Sequence, residues 1–194
     1  MSIETFRAAL LYAENHGEII SLGGGEPTIH PLFWDMLGLA VLAETESETV
    51  WLATNGKNTK IALRLARLAR QGKISCDLSQ DEWHDPIEPK VVAAFTRDEK
   101  ERYSPANNHD FRGIRRARPE KIINAGRAKK NGIGIDKGCI CDELFITPDG
   151  HIHPCGCSAG LKMDFGTVDK TNIDPHYISG NCAKNKNKWK EENG

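Results

Sequence analysis

Between residues 18 and 100 a β-rich run gives way to a helical pattern three times over, and a loop of unusual composition separates each run from its helix. The runs are residues 18 to 22, 49 to 53 (TVWLA) and 73 to 78 (KISCDL), and the helical patterns span 31 to 43, 60 to 71 and 89 to 100. Strands separated by helices of this length pair in parallel through right-handed crossovers. The chain therefore reads as an α/β fold of parallel strands. In such sheets ligands sit beyond the carboxyl ends of the strands. The three loops fall there: GGGEP at 23 to 27, TNG at 54 to 56 and SQDEWHD at 79 to 85. They are expected to converge on one sheet edge as one site.

Gly23 to Gly25 let backbone groups approach a ligand closely, and Glu26 followed by Pro27 sets a carboxylate in a stiff turn. Each loop also has a purely structural reading. The glycines suit a tight strand-to-helix turn, Asn55-Gly56 suits an Asn-Gly turn, and Ser79, Asp81, His84 and Asp85 suit helix caps. Their order and spacing together favour a shared site. Asn58 or Thr59 is placed to cap the next helix, which turns Ile61, Leu65 and Leu68 inward and Arg64, Arg67 and Arg70 toward water. Upstream, residues 3 to 15 set Phe6, Leu10 and Ala13 on one face, with Gly17 as a stop. Cys76, inside the third run, reads as a small core residue.

A length of 194 residues suits one domain with a small appended module. The formal net charge of -1 exerts no global pull toward nucleic acid or membrane. No apolar run of about 18 residues is present, and the opening MSIETFRAALLYAEN is an amphipathic helix pattern rather than a leader. These features point to a soluble, cytoplasmic protein with no membrane partner.

Five of the six cysteines follow residue 138, and four of them form two Cys-x-Cys pairs, a crowding that favours a metal over disulfides. The block GCICDELFITPDGHIHPCGC at 138 to 157 reads as a β-hairpin around a Pro148-Asp149-Gly150 turn. It brings Cys139 and Cys141 toward Cys155 and Cys157, and Cys182 is a further candidate ligand. Thiolates suit Zn²⁺ or an iron–sulfur (Fe-S) cluster rather than Mg²⁺ or Ca²⁺, and which four of the five bind is left open. His151 and His153 share a strand face and read first as an exposed pair, with metal ligation as the alternative. The basic stretch 111 to 130 reads first as a solvated strand and helix, with phosphate or nucleic-acid binding as the alternative. Residues 183 to 194 form a polar tail.

GGEP at 24 to 27, WLATNG at 51 to 56 and LSQDEWHD at 78 to 85 resemble the ends of the second, third and fourth strands of the radical S-adenosylmethionine (SAM) superfamily. INAGRAKKNG at 123 to 132 and FITPDGHIHPC at 145 to 155 resemble the auxiliary-cluster region of its SPASM and Twitch members. The resemblance implies a truncated partial (β/α) barrel over 1 to 137, a cysteine-rich metal or Fe-S module over 138 to 182, and the tail beyond. It also implies that Gly24, Gly25 and Glu26 hold the methionine amino group of SAM, with Asn55, Ser79 and Asp81 around its carboxylate and ribose. The family's Cys-x3-Cys-x2-Cys motif, which holds the catalytic [4Fe–4S] cluster, does not occur in this sequence. The chain is expected to begin beyond the strand that precedes that motif. A protein partner or a second copy of the chain is expected to cover the sheet edge left open.

Three functions are compatible with these residues. The first is a radical-SAM-like protein without the N-terminal catalytic cluster, which keeps a SAM-like pocket and a cysteine-held metal and acts by binding, inhibition or support of a partner. The second is an active radical SAM enzyme of peptide or nucleoside modification, its cluster segment supplied in trans. The third is a metal-stabilised module that binds nucleic acid, through residues 111 to 130, or protein.

Overall fold

The computed structural model describes residues 1–16, 20–43, 50–81, 84–97, 110–116, 132, 144–156 and 160–174. They fall into two compact units, one spanning 17–117 and one combining 1–16 with 118–194.

The first unit is built on a parallel sheet in which β1 (Ser21–Leu22), β2 (Val50–Thr54), β3 (Ile74–Ser79) and β4 (Arg112–Arg115) follow one another in sequence order. Leu22 pairs with Leu52, Leu52 with Cys76, and Cys76 with Arg112. Between the strands run α2 (Phe33–Leu42), α3 (Thr59–Arg70) and α4 (Pro89–Phe95). The parallel strands and intervening helices are those expected of a partial barrel. Alternation along the strands decides which face is covered. Val50, Leu52, Ile74, Cys76 and Leu78 are buried beside Leu65, Val91 and Phe95, while Trp51, Ala53, Ser75, Asp77 and Ser79 stay half-exposed on the opposite face. Each large apolar side chain so buried contributes about 1.5–3 kcal/mol.

The buried stripe of α3 is Ala62, Leu65, Ala66 and Ala69. Ile61 and Leu68, expected inward, sit half-buried at its margins, because the small alanines form the close-packed row. Arg64 is not simply solvated: its guanidinium carbon lies 3.9 Å from the centre of the Trp34 ring, a cation–π contact. Asn58 caps α3, its side chain accepting from the Ile61 N–H at 3.2 Å. Helix α4 stops at Phe95, short of the expected residue 100; Thr96 turns away in extended backbone and donates its N–H and hydroxyl to Val92 O.

Arg112, expected on a solvated strand, is instead buried against Asp110. Its Nε and Nη2 donate to the two carboxylate oxygens at 2.8 and 2.5 Å, and Nη1 donates to Ala94 O at 2.7 Å. A fork fully engaged inside the protein is not presented to a phosphate. Residues 117–130 of the basic stretch lie outside the described residues.

In the second unit α1 (Ile3–His16) shares a core with the antiparallel hairpin of β5 (Phe145–Ile146) and β6 (Ile152–His153). The hairpin turns as expected through Pro148-Asp149-Gly150, with Gly150 at φ +90° and its N–H bonded to Thr147 O at 2.9 Å. Tyr12, Ile152 and Val168 form the core, packed against Ala8, Ala9, Leu144, Ile146, Phe165 and Ile173. The Tyr12 hydroxyl donates to Ile173 O at 2.6 Å across 161 positions of sequence. Ala13, expected inward, is half-buried, and Tyr12 takes the deeper place. The expected boundary near 137 and the tail from 183 lie outside the described residues. Among the described residues no helix is long and apolar enough to cross a membrane.

Candidate functional site

Glu26 caps a 3-10 turn at Pro27–Ile29, where the chain leaves β1. Its Oε1 accepts from the Thr28 N–H at 3.3 Å, the Thr28 hydroxyl at 2.6 Å and the Thr54 hydroxyl at 2.9 Å; its Oε2 accepts from the Asn55 N–H at 2.6 Å. One carboxylate thus joins the ends of β1 and β2 at the carboxyl edge of the sheet. Thr28 and Thr54 were not singled out from the sequence, although Thr54 ends a strand and directly precedes Asn55-Gly56.

The glycine turn in front of Glu26 is exposed, and Gly24 adopts φ +119°, a conformation that L side chains rarely take. No described atom lies within 4 Å of where a Cβ would stand on Gly23, Gly24 or Gly25. Behind Asn55 the opposite holds: Gly56 has φ +71°, and a Cβ there would meet Leu78 Cδ1 at 2.6 Å. The second loop is therefore pinned to the core while the first stands open.

The third loop is tied in by charge. Lys57 pairs with Asp85, and the Thr59 hydroxyl donates to Glu88 at 2.7 Å. The Asp81 carboxylate lies 2.6 Å from His84 Nδ1, and Ser79 is half-buried at the end of β3. An open cleft of about 500 Å³, within the size range of small-molecule sites, is lined by Glu26, Thr28, Ile29, Asn55, Lys57 and Asn58, among others. Of the six residues expected to hold SAM, Glu26 and Asn55 share its wall; Gly24, Gly25, Ser79 and Asp81 lie outside it.

On the open face of the sheet, Trp51 Nε1 donates to Asp77 Oδ2 at 3.3 Å and the Arg115 guanidinium carbon lies 5.9 Å from the Trp51 ring centre. Gly113 leaves room for this carboxylate, since a Cβ there would stand 2.1 Å from Asp77 Oδ1. The sequence reading missed this polar face because its members come from three strands.

Of the five cysteines expected to hold metal, Cys155 is among the described residues; Cys139, Cys141, Cys157 and Cys182 lie outside them. Cys155 is buried, and a Cβ on Gly160 would approach its Sγ to 2.4 Å. Among the described residues no three His, Cys, Asp or Glu side chains gather as a metal cage. Cys76 is the core residue expected, and burial, reinforced by the charges of Asp77 and Glu26, pushes its thiol up and keeps it protonated. The histidines depart from expectation: His151 is partly exposed, but His153 is buried, its Nδ1 2.9 Å from Met163 O. The chain of 160–174 folding back over the hairpin covers it.

No protein-family model matches the chain. No curated protein matches it either. Solved structures do. BtrN in complex with AdoMet and 2-DOIA superposes with a TM-score of 0.62 at 15% identity, over 98% of this chain and 77% of BtrN. Native anSMEcpe with bound AdoMet and Kp18Cys peptide gives 0.53 at 16% identity, over 95% of this chain and 73% of that one. At such identities the likeness is one of fold. Four parallel strands in sequence order, helices between them and motif loops at their carboxyl ends give this chain the partial-barrel fold of the radical SAM enzymes.

Proposed function

We propose that this chain is a radical-SAM-like protein whose glycine turn and Glu26 receive the amino-acid end of SAM, and that it acts by binding, inhibition or support of a partner rather than by cleaving SAM itself. The observation that carries this reading is the placement of Glu26. Its carboxylate is held by Thr28, Thr54 and Asn55 at the carboxyl edge of a parallel sheet, beside a glycine turn that no described side chain fills. The residues present fit the group. Among the described residues Oε2 accepts one bond, from the Asn55 N–H, which leaves a lone pair for a ligand ammonium beside the exposed glycine turn. The structural neighbours BtrN and anSMEcpe hold AdoMet on the same fold.

Bound SAM would present an ammonium and a carboxylate to the turn. The chain's own contribution is to fix Glu26, keep Gly23 to Gly25 open, and hold Asn55 in place through Gly56. Asn55, Ser79 and Asp81 remain the proposed neighbours of the carboxylate and ribose. A metal or Fe-S cluster on Cys139, Cys141, Cys155, Cys157 and Cys182 completes the reading as a separate, stabilising centre. Among the described residues β1 is an outer strand of the sheet, the edge a partner would meet.

The test is equilibrium dialysis of labelled SAM against the full chain and two variants. Gly25→Val enters open space at a glycine without positive φ; it is expected to leave thermal unfolding unchanged and to weaken SAM binding at least about tenfold, a loss of about 1.4 kcal/mol. Glu26→Gln, which removes the charge but keeps an acceptor, is expected to weaken it by a similar factor. Failure of the unmodified chain to bind SAM overturns the pocket. Formation of 5′-deoxyadenosine by the reduced chain alone overturns the non-cleaving role and favours the enzyme reading.

A further inference from the structure

The cleft beside Glu26 has two chemically distinct sides. Among the described residues that line it, Glu26 supplies the one carboxylate, while Asn55, Lys57, Asn58 and Lys60 follow the chain through the turn into the start of α3. The backbone decides which end of each asparagine is free. Asn55 Oδ1 accepts from the Lys57 N–H at 3.0 Å, and Asn58 Oδ1 accepts from the Ile61 N–H at 3.2 Å. A backbone N–H can only donate, so the oxygen of each amide occupies that end and the NH2 group is the free one. These NH2 groups are donors only, as are the ammonium groups of Lys57 and Lys60.

Lys60 is exposed, and none of the ion pairs among the described residues includes it. Lys57 pairs with Asp85, but the two side chains are 56% and 66% exposed, and a pair so open to water holds its ammonium weakly. The two sides of the cleft meet at Asn55: its backbone N–H donates to Glu26 Oε2 at 2.6 Å, and its side chain is tied to the Lys57 N–H. An acceptor suited to a cation and a set of donors suited to an anion thus adjoin across one residue. An α-amino acid, whose ammonium and carboxylate hang from a single carbon, has the matching arrangement of charge.

We propose that Lys57, Asn58 and Lys60, with the Asn55 amide, take the carboxylate of the ligand whose ammonium Glu26 receives, so that the cleft selects an intact zwitterionic amino-acid end. The inference rests on the SAM reading for its ligand and adds specificity-determining residues to it. Ser79 and Asp81, outside the cleft, are left to the ribose.

Equilibrium dialysis of the full chain with SAM and with decarboxylated SAM, which lacks only that carboxylate, tests the assignment beside the double variant Lys57→Met/Lys60→Met. Both lysines are exposed, so the double variant is expected to unfold at the temperature of the unmodified chain. The unmodified chain is expected to prefer SAM at least about tenfold, and the double variant to lose at least about tenfold for SAM and nothing for decarboxylated SAM. The sign is diagnostic. SAM, with an ammonium, a sulfonium and one carboxylate, is a cation overall, so removing two positive charges strengthens its binding if they act only through the general field of the protein. Affinity for SAM that is unchanged or raised in the double variant overturns the inference and leaves the Glu26 reading standing, as does equal affinity of the unmodified chain for the two ligands. No binding of SAM by the unmodified chain overturns both.

Discussion

At the scale of single residues, Gly56 and Asp110 are the positions where substitution has the clearest consequence. Gly56→Ala would combine a left-handed backbone with a Cβ 2.6 Å from Leu78 Cδ1. It should cost about 1–3 kcal/mol, read as a lower urea midpoint; an unchanged midpoint would contradict the packing described for the second loop. Burial pushes the Asp110 carboxyl up, but hydrogen bonds from Arg112 and the charges of Arg112 and Arg97 outweigh it and hold the carboxyl below its ordinary range. A depressed folded value means that the pair's stabilisation is present above the unfolded carboxylate pKa of about 3.9 and is lost as pH falls through the folded value. Asp110→Asn should therefore cost about 3 kcal/mol at neutral pH, by stranding a buried guanidinium, and flatten the acid limb of the stability curve. Urea unfolding between acid and neutral pH checks both. Glu26 was legible at this scale because a carboxylate between glycine and proline is unusual; Thr28 and Thr54, which hold it, were not, because a hydroxyl donor carries no spacing of its own.

At the scale of elements, strand centres were legible and strand ends were not. Alternation marks which residues of β2 and β3 face the core, whereas termination depends on pairing: among the described residues β1 is paired over Ser21–Leu22. The open polar face was illegible for a related reason, since Trp51, Asp77 and Arg115 meet only once three strands are in register. Helix α1 shows the same limit. Its amphipathic pattern announced a buried face, but nothing local says that the hairpin of β5 and β6 is among what it buries. Tyr12→Phe removes the bond to Ile173 O and should cost about 1 kcal/mol. Tyr12→Ala also empties the core around Ile152 and Val168 and should cost about 3–5 kcal/mol.

At the scale of the whole molecule, two units with separate cores predict separable stability. In Tyr12→Ala the amides of Ile152 and Val168 should lose hydrogen-exchange protection while those of Leu52 and Cys76 keep theirs. Equal loss in both sets would show that the chain unfolds as one block. The class of fold was legible from the order of strands and helices alone. The division into units was not, because it joins segments more than a hundred residues apart.

That joining has a consequence during translation. Residues 17–117 form a complete unit enclosed in sequence by the two parts of the other. At ribosomal speeds of about 5–20 residues per second, the 161 positions between Tyr12 and Ile173 take about 8–30 s to make. For that interval α1 is outside the ribosome with Tyr12 uncovered, while the sheet behind it can already form. The nascent chain thus carries an unpaired amphipathic helix of the kind that holdase chaperones capture, and the segment made earlier is among those that settle last.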